Sequence, residues 1–301
     1  MTTAAVLAAL ATACALGSWR FTTARWTSRA PRTAILLWQA LGVSWGMATT
    51  GSMLAFAVQP YGEGVLHGLV SFAAGRSPRE AWDPLHVVAM IAGLTALAVL
   101  VAVLLTAGVQ ALRARRRHRT LLALISHDDP VLPGVRVLDH PSAAAYCVPG
   151  LRSQVVVSQG ALSLLSKDEM AAVLAHEAAH VRERHDLVLL PFGALRRALP
   201  WSKVVCDAQA QVELLIEMAA DDRARRYCSP RRLATALLRF GTAGAMPTPS
   251  GMLGVGAQNL MARVDRLLKP VPELPASLRY GAVALSVTLV TSAPLLWIYQ
   301  L

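Results

Sequence analysis

From Leu85 to Leu112 the chain runs for twenty-eight residues with no Asp, Glu, Lys or Arg. As a helix this run would be about 42 Å long at 1.5 Å per residue, more than the roughly 30 Å of hydrocarbon in a bilayer. It restricts the fold severely, because backbone N–H and C=O groups in lipid must be satisfied within their own segment, as in a helix. Ala34 to Val58 is a second charge-free apolar run, and it contains Gly42-x-x-x-Gly46, small residues that let another helix approach closely. Tyr280 to Leu301 is a third, preceded by Pro270, Pro272 and Pro275, and Ala4 to Trp19 is a shorter fourth, near the lower length limit for a span. A cleaved leader is the rival reading of the first segment, but no basic residue precedes it and its arginines come after. The composition agrees with a membrane setting: 54% of residues are hydrophobic and the mean hydropathy is +0.45.

The net charge of +11 is unevenly placed. Arg20, Arg25, Arg29 and Arg32 lie between the first two runs, whereas Gln59 to Asp83 is nearly balanced, with Arg76 and Arg79 against Glu63, Glu80 and Asp83. Positive loops stay on the cytoplasmic side, so the first loop is expected inside. Alternation then returns the third run to the cytoplasm, where the basic stretch Arg113 to Arg119 begins, and leaves both termini outside. Trp19, Trp82 and Trp297 fall near span ends, as interfacial anchors do. Because the basic stretch abuts a span, topology control and anionic lipid explain it better than nucleic acid, for which no fold signal is present. The expected architecture is a mainly α membrane protein with about four transmembrane helices and a cytoplasmic α+β domain. Residues 1–112 would hold three spans (about 4–19, 34–58 and 85–112), residues 113–278 the domain, and 279–301 the last span.

Within that domain lies His176-Glu177-Ala178-Ala179-His180. Residues four apart share a helix face, so both imidazoles can direct a nitrogen at one cation while Glu177 reaches a water on it. The helix is signalled by a capping box, Ser166 as N-cap with Glu169 three residues on, followed by the helix formers Met170 to Ala175. Two imidazoles alone do not make a site. Glu217, thirty-seven residues after His180, lies in a helix-like stretch from Ala208 to Arg226 with Val212, Leu215, Ile216 and Ala219 on its apolar side. It can complete a set of two histidines and one glutamate around Zn2+, and Asp221, four residues on, can orient a ligand imidazole. The alternative is a solvated helix on which Glu213, Glu217, Asp221 and Arg225 form charge pairs.

The run from Tyr146-Cys147-Val148-Pro149-Gly150 through Val155-Val156-Val157, Gly160-Ala161-Leu162, Lys167 to Leu174, HEAAHVRERHD and Glu217-Met218-Ala219-Ala220-Asp221 resembles the integral-membrane gluzincin peptidases. These are the HtpX and CAAX-prenyl endopeptidase group, with the BlaR/MecR-type peptidases of bacterial signalling. The resemblance covers about residues 120 to 270 and implies a zincin-like peptidase domain with one zinc ion per chain. On it, His176, His180 and Glu217 are ligands, Glu177 is the catalytic carboxylate and Asp221 orients a ligand. Arg182, Arg184, His185 and Asp186 lean toward the BlaR/MecR-type branch. Arg263 is a candidate oxyanion donor, since the resemblance places a similar arginine near the cleft. Two departures stand out: no His-Pro element precedes Arg263-Val264, and no extracellular ligand-sensing domain is present.

The implied reaction is peptide-bond hydrolysis of a protein substrate, either a cytoplasmic regulator such as a transcriptional repressor or, on the HtpX-like side, damaged membrane proteins. A non-catalytic zinc-holding sensor is the reading from another class, and a homo-oligomer is left open. Val135 to Leu138, Ala143 to Val148 and Gln154 to Ser158 read as strands of a small sheet, with Val155 to Val157 either pairing with an extended substrate or buried as a core strand. Leu187 to Leu199 is too short to span and reads as a membrane-surface segment or a soluble helix. Gly241 to Gln258 reads as a mobile loop over the cleft. His185, five residues past His180, turns off the ligand face and is expected at the surface or near substrate. The four cysteines form no Cys-x-x-Cys pair and are expected as reduced thiols.

Overall fold

The computed structural model describes residues 2–62, 64–128, 135–148, 154–243, 253–269 and 272–299. They divide into two compact units.

The first unit, Met1–Thr106 with Phe192–Gln211 and Leu274–Leu301, is helical. It contains α1 (Thr2–Phe21), α2 (Pro31–Ala57), α3 (Val65–Ala73), the first part of α4 (Pro84–Ile125) and α11 (Ala276–Ile298). Helix α2 is its centre and packs along both α1 and α11. Leu7, Ala48, Leu54, Ala57, Val65 and Met90 form the buried core between these helices. Gly51 allows the closest approach: a Cβ there would lie 2.2 Å from the Trp297 indole nitrogen, which donates instead to the Met47 carbonyl at 3.1 Å. Gly46 meets Leu100 of α4, whereas nothing lies close to Gly42.

Among the described residues three helices are long and apolar enough to cross a membrane: α1, α4 and α11. Helix α2, which holds the run Ala34 to Val58, is long enough but falls short in hydropathy. Its Gln39, serines, threonines and glycines lower its hydropathy, and a helix enclosed by neighbours has less need of an apolar surface. The helices that do qualify expose what lipid would cover. Leu85, Val88, Ile91, Leu105 and Leu112 along α4 are each more than half exposed. Helix α4 also runs on through the basic stretch to Ile125 without a break, so the boundary expected at residue 112 is not a helix end.

The second unit, Ala107–Pro191 with Val212–Glu273, joins a four-stranded sheet to helices. The strands are β1 (Ser126–Asp128), β2 (Val135–Leu138), β3 (Ala145–Val148) and β4 (Gln154–Ser158), in the order β1-β2-β4-β3. Strand β4 pairs parallel to β2 and antiparallel to β3, while β1 is antiparallel to β2. Strand β1 is too short and polar to carry a sequence signal. Alternation along β4 buries Val156 against Leu122 of α4 and Val157 against the opposite layer, formed by α5 (Gln159–Leu164), α6 (Lys167–Arg182) and α9 (Pro230–Thr242). Because β4 is paired on both sides, Val155 to Val157 is the buried core strand of the two readings, and β3 is the sheet edge beside α6.

Helix α7 (His185–Ala198) carries Pro191 inside it, α8 (Lys203–Ala224) returns, and α10 (Leu253–Leu268) packs on α9. The loop expected over Gly241 to Gln258 is therefore helical at both ends; its middle, 244–252, lies outside the described residues, as do Pro149 and Gly150.

Candidate metal centre

Helix α6 begins where the capping box places it. The Ser166 amide donates to Glu169 Oε2 at 2.9 Å, and the Glu169 amide donates to Ser166 Oγ at 3.3 Å. The Ser166 amide holds Glu169 below the usual carboxylate range, and Arg239 of α9, which donates to the same carboxylate at 2.8 Å, adds to it. Ala172 and Val173 anchor the inner face of α6 in the core, and the turns that follow carry His176, Glu177 and His180. Helix α8 buries Val212, Leu215, Ile216 and Ala219, which presents Glu217 and Asp221 to the histidines.

Three side chains from α6 and α8 converge, the two imidazoles each through Nε2 and the carboxylate through both oxygens. His176 Nε2 and His180 Nε2 are 3.1 Å apart, Glu217 Oε2 is 3.3 Å from His176 Nε2, and Glu217 Oε1 is 3.6 Å from His180 Nε2. A tetrahedral ion with ligand bonds of about 2.0–2.1 Å has donor-to-donor edges of about 3.3–3.4 Å. The observed triangle fits that requirement, and among the described residues it is the one group of its kind. His176 is 4% exposed, whereas the Glu217 side chain is 37% exposed and borders a cleft of about 570 Å3. That cleft is also lined by His180, Leu189, Leu214, Ile216 and Leu260, so one side of the triangle is open to a mostly apolar trough.

A shell of charge surrounds the triangle. Asp221, 1% exposed, sets Oδ1 3.0 Å from His176 Nδ1. Arg263 of α10 grips the same carboxylate with two nitrogens, Nε to Oδ2 and Nη2 to Oδ1, each at 2.8 Å, and its Nη1 lies 2.8 Å from Glu217 Oε2. Burial disfavours charge on His176, but hydrogen bonding to Asp221 and Glu217 outweighs it and raises the pKa to about 9. For His180 burial wins and lowers it to about 4. Burial would raise both carboxyl groups, yet His176 and Arg263 hold Glu217 and Asp221 at about 2. An ionised carboxylate and a neutral His180 are the states a divalent ion needs; only the proton on His176 must leave.

Glu177 follows His176 on α6, and its charge adds to those of Asp221 and Glu217 that raise the Arg263 pKa, so it lies within electrostatic reach of the guanidinium. His185 is not at the surface: it is 4% exposed and its Nδ1 is 2.9 Å from His180 Nδ1. It gets there through a reversal at Arg184, the one non-glycine residue with positive φ among those described, at 51°. Two further pairs carried no signal in the sequence. Arg266 is bidentate to Asp222 at 2.8 Å for both bonds, which gives α10 a second clamp on α8, and Arg115 of the basic stretch is ion-paired to Asp186.

Residues 111–213 match Peptidase family M48. That segment, about a third of the chain, is similar to M48 peptidases. The M48 match includes His176, Glu177 and His180 and ends four residues before Glu217, which the geometry alone brings to the histidines. A "Protease HtpX homolog" of Aeropyrum pernix is 40% identical over 78 residues, 24% of this chain and 24% of that protein. One of Thermoplasma acidophilum is 38% identical over 58 residues, 19% of this chain and 18% of the other. The chain thus matches about a quarter or less of the length of these curated relatives. The M48 match does not bear on the lean of Arg182, Arg184, His185 and Asp186 toward the BlaR/MecR-type branch. No solved structure matches the chain.

Proposed function

We propose that the chain is a membrane-embedded zinc endopeptidase. The observation that carries the reading is the donor triangle of His176, His180 and Glu217 at tetrahedral spacing with an open side on a cleft. Zn2+ fits best, because imidazole and carboxylate donors in a three-ligand set with an open position characterise hydrolytic zinc sites, whereas structural sites close the fourth position with a protein ligand. When bound, the cation supplies Lewis acidity toward the scissile carbonyl and lowers the pKa of water to near 7. Glu177 takes the proton of the attacking water and returns it to the departing amine. Asp221 fixes the His176 ring, and Arg263, with three nitrogens on Asp221 and Glu217, holds those two carboxylates in register. Its assignment as an oxyanion donor has less support than this clamping, since those nitrogens already face carboxylates. The edge strand β3 beside α6 is the place where an extended peptide can add by backbone hydrogen bonds.

Helix α2 crosses the bilayer with α1 and α11, against which it packs, and the arginines between α1 and α2 face the cytoplasm. The same rule puts Arg113 to Arg119, and with them the peptidase unit, on the cytoplasmic side. The substrate is a cytoplasmic regulatory protein such as a transcriptional repressor; on the HtpX-like side of the resemblance the second reading is damaged membrane proteins. Comparison of protein termini in cells carrying the wild type or Glu177→Gln tests both. New termini confined to the wild type are expected, in one or a few regulators on the first reading and in many membrane proteins on the second. Identical termini in both strains would overturn the peptidase reading.

A further inference from the structure

We infer that His185 is a positioning residue for the metal centre, acting through the ring of His180. This rests on the reading of His176, His180 and Glu217 as ligands, and goes beyond it to how the second imidazole is held.

The two histidine ligands have different partners. His176 turns its Nδ1 to a carboxylate, Asp221, at 3.0 Å. His180 turns its Nδ1 to another imidazole, that of His185, at 2.9 Å, with the ring centroids 4.8 Å apart and the planes at 81°. For His180 to offer its Nε2 lone pair to a cation, its proton must sit on Nδ1, and there it faces His185 Nδ1. His185 accepts that proton with its lone pair only if its own proton is on Nε2. That nitrogen lies 3.5 Å from Glu183 Oε2, and the second oxygen of Glu183 lies 4.0 Å from Arg223. One consistent set of tautomers therefore runs from the ligand to Glu183, and it permits a single role for His180, with Nε2 as the metal donor.

The backbone is shaped to this end. Helix α6 stops at Arg182, Arg184 takes the left-handed conformation at φ 51°, and α7 starts at His185, which folds the imidazole back onto the turn that it has just left. A continuous helix would have turned His185 off the ligand face, since five residues make about 500° of rotation rather than a full number of turns. Burial to 4% excludes an ordinary solvated histidine, and although the ring borders the cleft its Nδ1 is directed at His180. Outer partners of this kind set the orientation of a ligand ring and the basicity of its donor atom.

The test uses the full chain in lipid nanodiscs, with zinc affinity read by chelator competition and the site probed by Co2+ absorption. His185→Leu is expected to weaken zinc by about 10–100-fold and to shift the cobalt bands. His185→Asn, whose Oδ1 can stand where the imidazole Nδ1 stood and accept the same proton, is expected to recover most of the affinity and the wild-type spectrum. Wild-type affinity and spectrum in His185→Leu, or an Asn variant as weak as Leu, would overturn the inference while leaving the ligand set intact. Failure of the wild type to bind either ion would instead overturn the ligand reading on which it rests. If His185→Leu does not fold, Glu183→Gln keeps the packing and weakens the outer link; a smaller loss of affinity in the same direction supports the relay, and an unchanged affinity refutes it.

Discussion

At the scale of single residues, the centre is a balance of charge in which few members can be removed alone. Arg263, Asp221, Glu217 and His176 lie within hydrogen-bonding or ion-pair distance of one another, and Arg263 is only 9% exposed. Taking one partner from a buried pair leaves the other uncompensated, so Arg263→Met is expected to cost about 3–5 kcal/mol of unfolding free energy at neutral pH. Lysine should restore little of it, lacking the two-pronged geometry that grips Asp221. The loss should depend on pH in one direction. Asp221 and Glu217 sit at about 2 in the folded chain, below their ordinary values, so their contribution is fully present above those ordinary values and fades as pH falls through about 2. The gap between wild type and Arg263→Met, measured by denaturation in detergent at stepped pH, should be steady between about pH 5 and pH 6.5, below the range in which His176 loses its proton, and close toward pH 2. A gap that widens on acidification would contradict the assignment. His176, Glu217 and Asp221 were legible because helical spacing places His176 with His180 and Glu217 with Asp221, whereas Arg263 was reached only through the family resemblance. The depth of His185 was not, because helical periodicity was extended through a residue, Arg184, that breaks it, and nothing about an arginine announces a left-handed turn.

At the scale of elements, the site depends on the start of α6 and on the junction just before it. Ser158 ends β4 and caps α5, accepting from the amides of Ala144 at 2.8 Å and Ala161 at 3.1 Å and donating to the Ser142 carbonyl at 2.8 Å. Gly160 follows, where a Cβ would lie 2.0 Å from the Pro141 carbonyl oxygen, so that loop and helix touch backbone to backbone. Gly160→Ala must push these apart, whereas Ser166→Ala removes one cap and is expected to cost only about 1 kcal/mol. Thermal unfolding should rank Gly160→Ala as the more damaging of the two; the reverse order would show that the junction yields freely. Element existence was legible wherever periodicity or a cap spoke: the capping box, the strands of residues 135–138 and 154–158, the α8 face. Pairing was not. That β4 is interior and β3 the edge follows from the crossover order β1-β2-β4-β3, a choice among strands of similar composition.

At the scale of the whole molecule, hydropathy and enclosure diverge. Of the runs read as spans, α4 and α11 expose leucine and valine along their length, while α2, read as clearly as α4, falls short in hydropathy and is buried along about half its residues. Apolar exposure is visible in a sequence; a helix that its neighbours shield need not show it. The second unit is legible through the motif it carries; its M48 match stops short of Glu217, a residue that helical spacing offers as third ligand and that the fold brings to the histidines. One paired measurement tests the central claim: zinc content and cleavage of an unfolded protein substrate by the purified full chain in lipid, wild type beside Glu177→Gln. One zinc per chain in both, with cleavage by the wild type alone, is the result predicted. Cleavage by Glu177→Gln at the wild-type rate, or a wild type that cleaves without holding zinc, would contradict it.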